Sequence, residues 1–196
     1  MGHHITTLAD LITHSTAVFA DNPLFGERAG DGDWDWTSYG EFGVTVDKAR
    51  GGLAHLGVTK GDRVAIISDN RIEWAVGAYA TYGLGAAWVP MYEAQTQKDW
   101  KYILADCGAK VLFAASDGIR AQIEEIMDDL PSLEKIVVIV DPAGGDAMDY
   151  TELLAQGHEH PSPVAVIDEQ DLAGLIYTSG TTGNPKGVML SHRNFA

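Results

Sequence analysis

The chain has 196 residues, of which 45% are hydrophobic and 21% are charged, and its formal net charge at pH 7 is −15. This composition is typical of a soluble globular protein with a substantial core, and the acidic excess argues against a nucleic-acid partner, whose phosphates require clustered Lys and Arg. Residues 1–25 lack the pattern of a secretory signal, and the least polar stretch, 74–89, is too short to span a bilayer. We therefore expect a cytoplasmic protein, with peripheral membrane contact left open.

The cysteine and histidine content indicates neither a disulfide nor a metal site. Cys107 is the single cysteine, so no intrachain disulfide can form, and its position before Gly108 predicts a small buried residue near a helix end. His3, His4 and His14 match no common spacing of zinc ligands, so we expect them to be exposed.

The first sixty residues contain the patterns of two helices and one strand. The spacing of apolar residues predicts a helix over 6–20. Aromatic and polar side chains alternate over 33–37, which predicts a strand with one buried face. Ser38 or Thr37 is then expected to cap a second helix that ends just before Gly57.

From Gly61 onward, β-branched runs alternate with amphipathic stretches. We predict strands over 63–68, 86–90, 110–114 and 136–140, and helices over 71–83, 96–107 and 119–130. Asn70 is expected to cap the first of these helices, and Pro131 to end the last. The Gly-rich stretch 83–88 follows a helix, the reverse of the order in a dinucleotide-binding fingerprint, and is assigned to close packing. The alternation predicts an α/β fold with a parallel sheet flanked by helices.

Glycines and hydroxyl-bearing residues are concentrated between two apolar runs, 172–177 and 188–190. Glycines let backbone N–H groups converge, hydroxyls add donors, and the positive charge of Lys186 suits phosphate. Pro185 and Gly187 flank that lysine and exclude a Walker A loop, and no Gly-x-Ser-x-Gly elbow is present. We predict a strand–phosphate-binding loop–strand unit; the alternative is a solvated hairpin without a ligand. The candidate phosphate-binding residues are Tyr177, Thr178, Ser179, Gly180, Thr181, Thr182, Gly183, Asn184, Pro185, Lys186 and Gly187.

The same stretch carries a resemblance to a known family. The pattern Leu175-x-x-Thr178-Ser179-Gly180-Thr181-Thr182-Gly183-x-Pro185-Lys186 closely resembles the AMP-binding signature of the adenylate-forming enzymes. That superfamily includes acyl-CoA synthetases, luciferases and the adenylation domains of peptide synthetases. The likeness continues through 187–194, and segment 61–66 is also similar to these enzymes. Segments 89–93 and 109–113 are most similar to the long-chain acyl-CoA synthetase branch.

The resemblance implies an ATP-dependent, AMP-forming acid–thiol ligase. In such an enzyme a carboxylate, expected here to be a fatty acid, attacks the α-phosphate of ATP, and the thiol of coenzyme A then displaces AMP from the acyl-adenylate. The resemblance implies that the loop 177–187 holds the β- and γ-phosphates, that Thr178 reaches Mg²⁺, and that Lys186 neutralises phosphate charge. It assigns no catalytic residue to this chain. A non-catalytic fragment and another adenylating branch, either an amino-acid-activating domain or an acyl-AMP ligase, remain as alternatives.

The resemblance also implies how the chain is organised. We expect the N-terminal portion of the synthetase large domain, inactive alone because proteins of this family are longer. Its final apolar runs are expected to be strands buried on both faces of a larger sheet, which here would leave an uncovered edge and favour self-association. The predicted segments are a helix–strand–helix region at 1–60, an α/β subdomain at 61–156, a surface linker at 157–170 containing His158 and His160, and the strand–loop–strand start of a second subdomain at 171–196.

Overall fold

The computed structural model describes residues 5–30, 32–140, 147–178 and 185–195. Its α-helices are Leu8–Val18 (α1), Tyr39–His55 (α2), Ile72–Gly83 (α3), Gln97–Cys107 (α4), Asp117–Glu124 (α5), Tyr150–Glu159 (α6) and His192–Phe195 (α7). Its strands are Pro23–Arg28 (β1), Trp34–Ser38 (β2), Arg63–Ile67 (β3), Ala87–Met91 (β4), Val111–Ser116 (β5), Lys135–Val140 (β6), Met148–Asp149 (β7), Leu172–Thr178 (β8) and Lys186–Ser191 (β9). Within these ranges, no helix has the length and apolar character that a bilayer span requires.

The central sheet has the strand order β7-β6-β5-β3-β4-β8-β9. Neighbouring strands from β7 to β8 are parallel, and only β9 in the described sheet runs antiparallel, as the partner of β8. Strands β1 and β2 form a separate antiparallel pair. The structure therefore confirms the predicted α/β fold with a parallel sheet flanked by helices, and β8 and β9 contain the two apolar runs predicted as strands.

The middle strand β3 shows how the sheet separates two cores. Val64 and Ile66 point into a core shared with α2, α3 and α6. Ala65 and Ile67, on the opposite face, point into a core shared with α4 and α5. All four side chains are fully buried, which explains why β3 is a continuous apolar run in the sequence rather than an alternating one.

The C-terminal end of α4 is held by a strand residue. Gly108 takes the left-handed conformation with φ of 60°, which a glycine adopts without steric cost. The Arg63 guanidinium donates hydrogen bonds of 2.6 Å to the Cys107 carbonyl and 2.9 Å to the Gly108 carbonyl. Cys107 is buried, as predicted, and burial raises the pKa of its thiol to about 11, so the thiol is protonated at neutral pH.

The N-terminal hairpin differs from the prediction of a strand with one buried face. Trp34 and Trp36 of β2 remain 50% and 59% exposed. Their rings lie over Gly26 of β1, where an added Cβ would be 3.0 Å from Trp36 and 3.2 Å from Trp34. Because β2 pairs with β1 alone in the described structure, its aromatic side chains cover a glycine rather than a core.

Several element boundaries also differ from the sequence prediction. Ser38 caps α2 as expected, in a capping box with Glu41. Asn70 does not cap α3; the N-cap residue is Arg71, which makes no capping hydrogen bond through its side chain. Helix α5 ends at Glu124 instead of near residue 130, because the chain tightens into the 3₁₀ turn Met127–Asp129.

The predicted linker 157–170 begins inside a helix. Helix α6 continues to Glu159, and its Gly157 packs directly against the backbone of α2. A Cβ at Gly157 would lie 1.7 Å from the Lys48 carbonyl oxygen. Gly52 of α2 is similarly confined, since its Cβ would lie 2.3 Å from the Leu153 carbonyl oxygen. Glycine at both positions is therefore what lets the two helices meet backbone to backbone.

We expect Gly157→Ala to lower the free energy of unfolding, because the added methyl group forces α6 away from α2. Overpacking of this kind costs about 1–3 kcal/mol, more than the roughly 1 kcal/mol that alanine adds to helix propensity. Gly30→Ala is the matched control, since nothing lies within 4 Å of a Cβ there and the backbone is unstrained. Urea unfolding of both variants tests this, and equal midpoints would contradict it.

Candidate functional site at the carboxyl edge of the sheet

The candidate site lies where two neighbouring parallel strands send the chain to opposite faces of the sheet. The chain leaves β3 through α3, which packs on one face, and leaves β4 through α4, which packs on the other. Such a divergence opens a crevice at the carboxyl ends of the strands, the usual ligand position in open α/β sheets. A cavity of about 730 Å³ occupies this place, lined by residues 68–70, 90–92 and 176–178 with Trp74 and Gln95.

The wall formed by the β4–α4 turn is fixed by hydrogen bonds within the turn and to α4. Gln95 accepts a hydrogen bond of 2.9 Å from the Tyr92 N–H through Oε1. The indole N–H of Trp100 donates to the Tyr92 carbonyl at 3.0 Å. The Asp69 N–H, at the end of β3, donates to Glu93 Oε1 at 3.0 Å and ties the two strand ends together. This side of the cavity is therefore preorganised.

The opposite wall is the end of the β8–β9 hairpin. The ladder pairs Thr178 directly with Lys186, and Tyr177 with Gly187. Directly paired residues have Cβ atoms about 4.5–5.5 Å apart on one face of the sheet, so the predicted magnesium ligand and the predicted phosphate-binding lysine are neighbours. Both side chains are exposed, and Pro185 directly precedes Lys186, the first residue of β9. The remaining candidates, Ser179, Gly180, Thr181, Thr182, Gly183 and Asn184, lie outside the described residues.

Tyr177 has a contact that the sequence did not predict. Its hydroxyl donates a 2.5 Å hydrogen bond to Asp106 Oδ2 in the last turn of α4. Burial, together with the Asp106 carboxylate, raises the pKa of this hydroxyl, so it stays a donor at physiological pH. The hydroxyl of Tyr177 thus binds α4, and the assignment of this residue to phosphate binding stays a prediction.

The two strands of the hairpin differ in burial. Val188 and Met189 of β9 are 45% and 69% exposed, whereas Ala173 and Gly174 of β8 are buried. The exposure of β9 follows from its position as the edge strand of the described sheet. It agrees with the uncovered edge expected here, since burial on both faces was expected only within a larger sheet, and self-association through that edge stays a prediction.

At the base of the hairpin, β8 is held by an ion pair with the α2–β3 connection. Lys60 Nζ lies 2.5 Å from Asp171 Oδ2 and 3.0 Å from the Val166 carbonyl oxygen. The hydrogen bond from Lys60 lowers the pKa of the Asp171 carboxyl. These contacts fix where β8 starts relative to β3.

His192 connects the end of the hairpin to the start of the chain. Its side chain is fully buried, and Nδ1 accepts a 3.2 Å hydrogen bond from the Leu8 N–H. Leu8 is the first residue of α1, so this bond satisfies a donor that the helix itself leaves free. Among the described residues, Nε2 has no hydrogen-bond partner. Burial lowers the pKa of His192, although the carboxylates of Asp171 and Asp10 oppose that shift.

No metal cluster accompanies this site in the described ranges. Within them, no group of three or more His, Cys, Asp and Glu side chains is arranged to hold a metal ion. His14 is partly buried rather than exposed as predicted, while His3 and His4 lie outside the described residues.

Comparison with known proteins identifies the family. Residues 13–196 match the family described as AMP-binding enzyme, and the chain belongs to that family. The long-chain-fatty-acid–CoA ligase FadD15 of Mycobacterium tuberculosis is 35% identical over 99% of this chain and 32% of its own length. The peroxisomal long chain acyl-CoA synthetase 6 of Arabidopsis thaliana is 30% identical over 97% of this chain and 29% of its own length. The chain spans about a third of the length of these curated relatives.

A solved structure supports the same family at the level of the fold. The anthranilate CoA ligase AuaEII, determined in complex with anthranoyl-AMP, superposes with a TM-score of 0.84 and 27% identity. The match covers 95% of this chain and 35% of that one. The family model thus shows the family, and the solved structure shows the parallel sheet that the strand–helix alternation predicted.

We expect His192 to make stability depend on pH. Because burial lowers its pKa, the folded chain keeps the imidazole neutral while the unfolded chain protonates it near pH 6.5. Stability is therefore complete above that pH and falls as the pH drops toward the lower folded pKa, by about 1.4 kcal/mol per unit of pKa difference.

His192→Asn tests this, since asparagine offers a carbonyl acceptor near the position of Nδ1 but does not titrate. We expect urea unfolding between pH 7.5 and pH 5, in steps of roughly half a unit, to show a steeper loss of stability in the wild type than in the variant. The other histidines are present in both proteins, so their contributions to the pH dependence cancel in the comparison. Parallel curves would contradict the assignment.

Proposed function

We propose that the protein is an ATP-dependent, AMP-forming acyl-CoA ligase that activates a fatty acid, and that its β8–β9 hairpin holds the phosphates of ATP. The main support is the position of two residues. Thr178 and Lys186 are directly paired in the β8–β9 ladder, and Thr178 lines the cavity at the carboxyl ends of β3 and β4. They flank the loop that carries the signature of the AMP-binding family.

The charge balance of the chain supports a phosphate site at this position. With 13 Lys and Arg against 28 Asp and Glu, the protein repels polyanions over most of its surface. Lys186 is exposed and makes no ion pair with any described residue. Its charge is therefore available to a ligand, unlike that of Lys60, which is paired with Asp171.

The residues at the rim fit a magnesium ion that accompanies ATP. Mg²⁺ prefers oxygen ligands and is commonly bound by few protein groups together with substrate phosphates. The exposed Thr178 hydroxyl at the cavity provides such an oxygen, and the absence of a carboxylate cluster in the described residues agrees with a site completed by phosphate. When bound, the ion would supply positive charge to the departing phosphates.

The proposed reaction has two steps. The fatty-acid carboxylate attacks the α-phosphorus of ATP, the bond from that phosphorus to the bridging oxygen breaks, and pyrophosphate leaves with the bond electrons. The thiolate of coenzyme A then attacks the acyl carbon and AMP departs. Charge accumulates on pyrophosphate only in the first step, where Lys186 and the hairpin donors would stabilise it.

The identity of the carboxylic acid substrate is proposed from the sequence relatives rather than from the geometry of the cavity. The two ligases named for long-chain substrates align over nearly all of this chain. The structural relative acts on anthranilate, an aromatic acid, and has lower sequence identity. We therefore propose a long-chain fatty acid as substrate, and coenzyme A as the acceptor.

We expect Lys186→Ala in the natural gene product to slow adenylate formation about 10²–10³-fold, the usual loss when one donor to a developing anion is removed. Thioester formation from preformed acyl-adenylate should be unchanged, since pyrophosphate has already departed. Single-turnover rates from ATP and from acyl-adenylate separate the two steps.

Lys135→Ala is the matched control for this experiment. Lys135 is also an exposed lysine at the first position of a strand, but it lies in β6, remote from β8 in the strand order. It should leave both steps unchanged. Equal damage to both steps by Lys186→Ala would remove the proposed role, and no fatty-acid-dependent turnover in the wild type would overturn the proposed activity.

A further inference from the structure

The hairpin that carries Thr178 and Lys186 lies beside β4 but shares little backbone pairing with it. Strands β4 and β8 are joined by a single bridge in the described ladder, between Trp88 and Gly174. Beyond that bridge, Leu175 to Thr178 pair with β9 only. Since β9 is an edge strand, the ladder alone does not fix the orientation of the hairpin end against the body of the domain.

A side-chain contact near the end of β8 adds to this attachment. The Tyr177 ring packs against the core beneath α4, and its hydroxyl donates a 2.5 Å hydrogen bond to Asp106 Oδ2. A bond to an ionised acceptor is stronger than one between neutral groups. Among the described hydrogen bonds, it is the one that links a side chain of β8 to α4.

The stability of α4 does not account for an acid at position 106. Asp106 lies in the last turn of the helix, where the negative end of the helix dipole disfavours a carboxylate. The carboxylate is also exposed, so no burial requires it there. Its partner in the structure is Tyr177, which lies 71 positions away in the sequence.

Gly187 makes room for this arrangement. It stands opposite Tyr177 in the ladder, and an added Cβ would lie 3.0 Å from Cζ and 3.2 Å from the hydroxyl oxygen of the tyrosine. Any larger residue would push the ring away from the strand. The glycine of the signature therefore permits the ring position from which Tyr177 reaches Asp106.

We propose that Tyr177 and Asp106 form a positioning pair that fixes the hairpin on α4 and thereby orients Thr178 and Lys186 toward the phosphates. The next row of the ladder after Tyr177–Gly187 is Thr178–Lys186, about 3.4 Å further along the strand. Rotation of the hairpin about β8 would displace both groups together. The proposal rests on the proposed function for its ligand, while the attachment itself does not depend on it.

Tyr177→Phe and Asp106→Asn, each in the natural gene product, test the pair, with Tyr39→Phe in α2 as the matched control. Tyr177→Phe removes only the hydroxyl, and should lower kcat for fatty-acid-dependent pyrophosphate release about tenfold while KM for the acid stays within about twofold. The double variant should be no slower than Tyr177→Phe alone, because both changes break one bond. Wild-type kcat in Tyr177→Phe, or losses that multiply in the double variant, would overturn the proposal.

Amide hydrogen exchange tests the attachment without relying on activity. In Tyr177→Phe, peptides covering β8 and β9 should exchange about tenfold faster than in the wild type, while β3 should not change. Tyr39→Phe should leave both unchanged. Unaltered exchange in β8 and β9 would refute the attachment, even where kcat falls. Faster exchange of β8 and β9 in Tyr177→Phe, together with a wild type that shows no turnover, would support the attachment and reject the proposed activity.

Discussion

The divergence of the chain at the ends of β3 and β4 is the constraint on which the site depends. Right-handed crossovers place α3 on one face and α4 on the other because β4 and β5 lie on opposite sides of β3. The carboxyl ends of these strands are therefore covered by neither helix, and the cavity forms between them. Adding β8 beside β4 brings the hairpin to this opening. The position of Thr178 and Lys186, which flank the proposed phosphate loop, is thus a consequence of strand order.

A few specific contacts hold the hairpin against that opening. Lys60 pairs with Asp171 at its start, and His192 binds the first N–H of α1 at its end. Tyr177 binds Asp106 close to the loop. A partly exposed ion pair contributes little to stability, and His192 gains one buried hydrogen bond while its Nε2 atom has no partner among the described residues. We infer that both contacts fix the base of the hairpin, and that its end is oriented by the tyrosine.

Much of the fold could be predicted because parallel strands buried on both faces leave continuous apolar runs, as in 63–68 and 110–114. The regions that were missed have no such signal. Gly157 of helix α6 is an example, because glycine in a polar stretch is typical of a linker. Here glycine is required because the backbone of α2 packs directly against this position. The two tryptophans of β2 alternate with polar residues, as in a half-buried strand. In the structure these tryptophans are exposed and cover only Gly26.

For the site, the sequence placed Thr178 and Lys186 in one loop, since the chemistry of phosphate binding limits the residue types that serve it. Their direct pairing could not be predicted, because register depends on the whole hairpin. Asp106 could not be found either, since no local pattern relates it to Tyr177.

The hairpin is proposed to bind the pyrophosphate portion of ATP rather than its AMP portion. Calorimetric titration of the natural gene product with magnesium pyrophosphate and, separately, with AMP tests this binding in the wild type and in Lys186→Ala. We expect the variant to bind pyrophosphate about tenfold more weakly or worse, while its affinity for AMP stays within about twofold of the wild type. Equal weakening of both ligands, or weakening of AMP alone, would contradict it.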